Sequence, residues 1–309
     1  MKNPATAKSI GKVNQKAVRA GGKNSFFGNI TNTLLRRKPI EVPLKTKTVE
    51  RKPAIAKQKK RGVTMSFKTG IPGFDDLLEK GIPEGSSVLV AGGAGSGKTL
   101  FCLQIAANAA KNGRKALYVS LEEAPNRLEE HMHDFNIAVD DLENKKLLRI
   151  IRVDPFRIAR SVEGLLAKAT GELMIDLEDI SEFSSRDFKP EVIIIDSITA
   201  LAAAFGQQQE NYRIYVEQLF RYFEQLGVNS YFISETEQQP TQYSRTGVEE
   251  FLADGVIVIY HIKHGNIRER AIEILKLRGA KHKQSIVAMR IEDGKGVMVY
   301  PEQELFTDT

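Results

Sequence analysis

A chain of 309 residues with 41% apolar and 7% aromatic content has room for one large domain or two small ones and fits a soluble globular class. No run approaches the roughly 20 apolar residues of a membrane span, and the single Cys102 excludes an intramolecular disulfide and points to a reducing compartment, the cytoplasm. The formal net charge of +6 conceals an asymmetry: residues 1–61 hold 17 Lys/Arg against the acids Glu41 and Glu50, so a basic arm of +15 precedes an acidic body of −9.

The arm, taken as residues 1–62, contains Gly21-Gly22 and prolines at 4, 39, 43 and 53, with little periodicity. That composition predicts disorder. Its charge suits a grip on nucleic acid, anionic lipid or an acidic protein, and equally a solubilising tail with no dedicated ligand. Aromatic interleaving is limited to Phe26-Phe27, which gives base stacking little support. No secretory apolar segment opens the chain. The acid-free first forty residues permit an organelle transit peptide, against which stand sparse serine and an excess of lysine over arginine.

From residue 63 to 305 the pattern becomes one of alternating strands and helices, with 306–309 as a tail. Ser87–Val90 is a short β-type run, and Leu100–Ala110 has helical propensity and ends at Asn112-Gly113, a plausible C-cap. Between them, Gly92, Gly93, Ala94, Gly95, Ser96, Gly97, Lys98 and Thr99 fit the phosphate-loop pattern G-x-x-x-x-G-K-[ST] without mismatch. Glycines let several backbone N–H groups face one anion. Lys98 then reaches the β- and γ-phosphates, Thr99 offers a hydroxyl to Mg²⁺, and the helix opening at Lys98 points its positive end at the phosphates. Strand, loop and helix in this order imply a nucleoside triphosphate site rather than a chance glycine-rich turn.

Further along, Leu117–Leu121 reads as a strand ending in the acids Glu122-Glu123, followed by a helix near Asn126–Phe135. Leu147–Val153 is a third strand and Ile158–Leu177 a helix. Glu191–Asp196 is a buried-type strand, Tyr212–Leu226 an amphipathic helix and Ser230–Ser234 another strand. This alternation predicts an α/β fold with a mostly parallel sheet and helices on both faces. Gly255–His261 with Arg270–Leu277, and Ser285–Ile291 with Val297–Tyr300, read as C-terminal antiparallel hairpins.

Asp196, closing the apolar run Val192–Ile195, has the character of a Walker B carboxylate that holds Mg²⁺ opposite Thr99; a cap on the next helix is the plainer alternative. Strand ends beside a phosphate loop converge on one crevice, so Glu122 and Glu123 are candidates for orienting and deprotonating water. As acids at a helix start they also suit the helix dipole. His131, His133, His261 and His264 lack zinc-site spacing and read as surface histidines.

Taken together, Thr69–Leu78, the phosphate loop, Ser120–Glu123, Ile195–Ser197, Gly247–Asp254 and Ile274–His282 resemble the KaiC-like branch of RecA-type ATPases over roughly residues 64–300. The resemblance implies a RecA-like fold, ATP and Mg²⁺ as ligands with the nucleotide held along Gly92–Leu100, and Glu122 and Glu123 as the paired catalytic glutamates. It also implies that Lys276, Arg278 and His282, in a Lys-x-Arg-Gly-x-x-His segment, reach a neighbouring subunit's nucleotide. Lys276 and Arg278, two apart on a strand, can aim at one anion, although a solvated basic edge strand would look the same. Ser234-Glu235-Thr236 matches the family's γ-phosphate sensor position.

The resemblance thus leads to an ATP hydrolase working at the interfaces of a homohexamer in a nucleotide-gated signalling or assembly role. Clock members of the family carry a second, autophosphorylating ATPase copy, and one copy here argues against such a cycle. A DNA-repair recombinase paralogue and a non-catalytic ATP-dependent scaffold are the alternatives. Against the recombinase, the segments near Ala203–Arg213 and Glu237–Thr246, where RecA relatives place DNA-binding loops, hold only Arg213 and Arg245 as cations.

Overall fold

Runs of Val, Ile and Leu set the architecture of residues 66–168 and 188–305, which the computed structural model describes. β1 (Ser66–Phe67) pairs antiparallel with β2 (Ile82–Pro83) in a separate two-stranded sheet. Between them the chain winds around Asp75, whose carboxylate accepts from the Thr69 N–H and hydroxyl and from the Gly70 N–H. β3 (Ser87–Gly92) then leads into α1 (Lys98–Lys111). Phe74 packs edge-on to Phe101 of that helix at 5.2 Å.

β4 (Ala116–Ser120) is followed by α2 (Pro125–Asp134), whose proline occupies the first turn where no N–H partner is needed. Next come α3 (Val139–Asn144), β5 (Leu148–Arg152) and α4 (Pro155–Lys168). β6 (Val192–Asp196) runs into α5 (Ile198–Phe205), capped by the Ser197 hydroxyl, which accepts from the Ala200 N–H at 3.1 Å. α6 (Gln209–Leu226) ends on Gly227 in the left-handed conformation. After β7 (Asn229–Glu235) and the short α7 (Glu249–Leu252), the chain finishes with β8 (Gly255–His264), β9 (Ile267–Leu277), β10 (Val287–Glu292) and β11 (Gly296–Glu304).

The main sheet has nine strands in the order β11-β10-β9-β8-β3-β7-β6-β4-β5. From β8 to β5 all pairings are parallel, and β8 to β11 are joined by antiparallel pairings. The parallel strands are buried on both faces, which is why they read as near-continuous apolar runs. One core lies between the sheet and α1, α2 and α3; a second lies between the sheet and α4, α5 and α6.

The expected α/β sheet with C-terminal hairpins is present, and local boundaries differ in informative ways. α4 begins at Pro155, three residues before the expected start, and residues 169–177 of the expected helix lie outside those described, as do the arm 1–62 and the tail 306–309. The first hairpin is tighter than expected, because Lys263 and His264 pair with Arg268 and Ile267. The stretch Ala203–Arg213 is mostly helical, with only Gly206–Gln208 between α5 and α6, since its alanine-rich start has high helix propensity. No helix among the described residues is long and apolar enough to cross a membrane.

Register positions the functional elements. β3 stops at Gly92, level with Glu235 of β7 and Ile259 of β8, while β8 runs on to His264. On its β8 side the loop after β3 is therefore walled by a strand that runs past it, whereas β7 ends level with β3. Lys276 and Arg278 lie at the other edge: Lys276 pairs with Val256, and the Arg278 N–H donates to Asp254, whose own N–H donates to Ser87 at the start of β3.

Candidate nucleotide-binding site

Gly92 and Gly97 show why the loop needs glycine. A Cβ on Gly92 would lie 2.3 Å from the Ile259 carbonyl oxygen, and Gly97 has φ +106°. From the loop, Ala94, Gly95, Gly97, Lys98, Thr99 and Leu100 line a cavity of about 440 Å³, and Glu122, Glu123 and Asp196 line it as well. Leu103, Phe135 and Ile291 add an apolar side. Gly92, Gly93 and Ser96 complete the loop behind this lining; the Ser96 hydroxyl is buried without a hydrogen-bond partner.

Lys98 is buried, and its Nζ donates to the Gly93 carbonyl at 3.0 Å. Burial lowers its pKa, opposed by Glu235, Asp196 and Glu122. The Thr99 hydroxyl donates to Asp196 Oδ2 at 3.0 Å, and the buried Tyr118 hydroxyl donates to the same oxygen at 2.5 Å. Glu122 Oε1 accepts from the Ser197 hydroxyl at 2.5 Å. The Ser120 hydroxyl accepts from the Glu123 N–H at 2.9 Å, fixing the turn that carries both glutamates.

Burial pushes the Asp196 carboxyl up from 3.8 to about 6, against the hydrogen bonds from Tyr118 and Thr99 and reinforced by Glu122. The native state thus binds this proton more tightly than the unfolded chain. The ligand-free fold loses stability as pH rises from about 4 to about 6, by about 1–3 kcal/mol. Ligand-free Asp196→Asn is therefore expected to melt above wild type at pH 7.5 and to converge with it near pH 4, as read by circular dichroism; equal melting at pH 7.5 would contradict the burial penalty.

This donor set fits Mg²⁺. A desolvated carboxylate beside a hydroxyl supplies hard oxygens for an ion that takes few protein ligands and completes its shell with phosphate and water. Among the described residues no group of three or more His, Cys, Asp or Glu could enclose a metal by itself.

Lys276 and Arg278 lie away from this cavity. Lys276 Nζ donates to the carbonyls of Glu250 (3.1 Å) and Ala253 (2.7 Å), and Arg278 donates to that of Phe251 (3.1 Å). Arg278 also sits 3.5 Å from Asp254. Both cations are thus held on carbonyls around the end of α7, and Arg278 lies just past the end of β9. His282 pairs with Leu78 through the backbone, and both its ring nitrogens are buried without hydrogen-bond partners.

At the expected sensor position, Glu235 lines the cavity and the Ser234 hydroxyl is buried without a partner, whereas the Thr236 hydroxyl turns to the Glu237 carbonyl. His131 lines the cavity, His133 lies 3.4 Å from Asp140, and the side chain of His264 is outside those described. Sequence reasoning missed Tyr118. Its signal is a tyrosine in mid-strand, where a buried hydroxyl must find an acceptor.

A phosphate loop after a central strand of a mostly parallel, helix-flanked sheet, with an acid-ended strand two places away, defines a P-loop domain of the RecA type. Comparison with known proteins is more specific. The family model for the KaiC ATPase matches residues 67–304, and the chain belongs to that family. It is 32% identical over 239 residues to the circadian clock protein KaiC3 of Synechocystis, covering 76% of this chain and 45% of that protein. It is also 32% identical over 249 residues to a UPF0273 protein of Pyrococcus horikoshii, covering 79% of this chain and 97% of that one. The chain thus spans about half the length of this clock relative and nearly all of the shorter one. A crystal structure of a KaiC-like protein from Pyrococcus horikoshii superposes with a TM-score of 0.61 at 28% identity, covering 76% of this chain and 99% of that chain.

Proposed function

We propose that residues 63–305 form one ATPase domain that binds ATP with Mg²⁺ in the 440 Å³ cavity and hydrolyses it at the subunit boundaries of a homohexamer. The observation that carries this reading is convergence: Lys98, the Thr99–Asp196 pair and Glu122 meet in one cavity although they come from three separate segments. The loop N–H groups and Lys98 hold the phosphates, and the apolar side at Leu103, Phe135 and Ile291 suits a nucleobase. Thr99 and Asp196 hold Mg²⁺, which when bound supplies charge neutralisation across the phosphate oxygens. Glu122, oriented by Ser197, takes the proton of the attacking water, and Glu123 helps to place that water.

Lys276 and Arg278 sit at the start of β3 and the phosphate loop at its end, about 17 Å apart along the strand. Within one chain they do not meet, so these cations, and His282 of the same Lys-x-Arg-Gly-x-x-His segment, are assigned to the phosphates of a neighbouring copy. Nucleotide state then governs assembly and, through it, a signalling output.

Titration with a fluorescent ATP analogue, paired with a phosphate-release assay with and without EDTA, tests the reading. Binding with release that falls more than ~100-fold in EDTA is expected; absence of binding would overturn it. The +15 arm supports a separable acidic ligand held by charge. On an anionic heparin column, wild type is expected to elute at higher salt than a variant lacking residues 1–61; identical elution would remove that role.

A further inference from the structure

We propose that Gln238 and Arg270, both outside the phosphate-loop motif, are positioning residues that clamp the loop from either side and keep its N–H groups aimed into the cavity. The inference rests on the nucleotide-binding reading and adds two residues to it. A loop that turns its N–H groups toward one anion turns carbonyls outward, and those carbonyls need donors of their own. Three consecutive ones have them. The Gly93 carbonyl accepts from Lys98 Nζ at 3.0 Å and from the Ser96 N–H at 3.2 Å. The Ala94 carbonyl accepts from Gln238 Nε2 at 3.0 Å, and the Gly95 carbonyl from Arg270 Nη2 at 3.1 Å and Nε at 3.3 Å. The motif itself supplies only the first set of donors.

Strand register explains how two distant residues reach the same loop. Glu235 is level with Gly92, so Gln238, three residues on, stands beside the crest from the β7 side. Ile259 is also level with Gly92 and pairs with Ile272. Arg270, two residues nearer the hairpin tip and opposite His261, overhangs the crest from the β9 side. Contact on the first side is close: a Cβ on Gly93 would lie 2.8 Å from Gln238 Cδ, so glycine at 93 is what admits the amide. On the other side Gly95 has φ +71° and faces the His261 ring at 3.7 Å from the position of its absent Cβ. When Lys98 leaves the Gly93 carbonyl for a phosphate, Gln238 and Arg270 continue to hold the next two carbonyls.

Neither side chain lines the nucleotide cavity, so their loss changes affinity more than chemistry. The test titrates full-length wild type, Gln238→Glu, Arg270→Met and Arg270→Lys with a fluorescent ATP analogue in Mg²⁺, alongside steady-state phosphate release. Gln238→Glu keeps the shape and removes the donor; Arg270→Lys keeps a donor and a charge. Gln238→Glu and Arg270→Met are each expected to raise Kd and KM ~5–30-fold with kcat within ~3-fold, and Arg270→Lys to return to within ~3-fold of wild type. Unchanged melting temperatures show that folding is intact; a variant that melts early is replaced by Gln238→Ala or Arg270→Gln. Variants that bind as wild type does, or an Arg270→Lys as impaired as Arg270→Met, overturn the clamp. A wild-type chain that binds no nucleotide sinks the site reading itself, which separates the two failures.

Discussion

Glu122→Gln is expected to lower ATP turnover by ~10²–10⁴-fold while leaving nucleotide affinity within ~3-fold of wild type, and Glu123→Gln to cost only ~10-fold. The asymmetry follows from the electrostatics of the cavity. Glu122 is among the carboxylates that act on both Lys98 and Asp196, the groups assigned to phosphate and Mg²⁺, whereas Glu123 acts on the buried Tyr118. Glu122 also has one carboxylate oxygen fixed by Ser197, so its other oxygen is pre-aimed. Ser197 additionally caps α5, which ties the glutamate's orientation to a helix end rather than to a mobile side chain. Phosphate release at saturating ATP, paired with analogue titration, checks both variants. Equal losses in the two, or a larger loss in Glu123→Gln, would reverse the assignment.

Lys276→Ala is expected to reduce turnover by ~10³-fold, as loss of a cation supplied by a neighbouring subunit does in phosphoryl transfer. The decisive measurement mixes two inactive chains. Glu122→Gln keeps Lys276 to offer to its neighbour, and Lys276→Ala keeps its own glutamates. Random co-assembly in equal amounts rebuilds about a quarter of the boundaries with both groups intact, so the mixture recovers about a quarter of wild-type turnover. A mixture as inactive as its parts, or a chain that stays monomeric with ATP by light scattering, overturns the trans assignment. The local geometry suits the role. Lys276 is oriented by the Glu250 and Ala253 carbonyls at the end of α7, and burial beside Arg278 lowers its pKa. The adjacent Phe251 is 76% exposed, an apolar group with nothing over it among the described residues.

The parts of this site written in consecutive residues were legible, because local backbone chemistry dictates them. Only glycine accepts the geometry at Gly92 and Gly97, and a run such as Val192–Ile195 ending in Asp196 declares both its burial and its polar end. The alternation of strands and helices gave the sheet class for the same reason. Contacts between distant residues were not legible. Gln238 and Arg270 reach Ala94 and Gly95 across 144 and 175 residues, and that proximity exists only once strand order and register are known. Nothing local places β8 beside β3, or β7 between β3 and β6. Short elements were missed as well: α3, from Val139 to Asn144, is too brief to establish a helical period and is held by packing of Val139 and Leu142.

Under the proposed trans assignment, the separation of the phosphate loop from the Lys276–Arg278 pair along β3 has a consequence for stoichiometry. A contact that seats Lys276 of one copy against the phosphate loop of another joins unlike surfaces, and such heterologous contacts either close into a ring or propagate as an open filament. In a ring every loop is completed. In an open assembly the last loop in the row has no donor and the first cation pair has no recipient, so one site is always idle. Turnover per chain would therefore climb with assembly length in a filament and switch on with closure in a ring. The shape of activity against protein concentration reports which of the two geometries the subunits adopt.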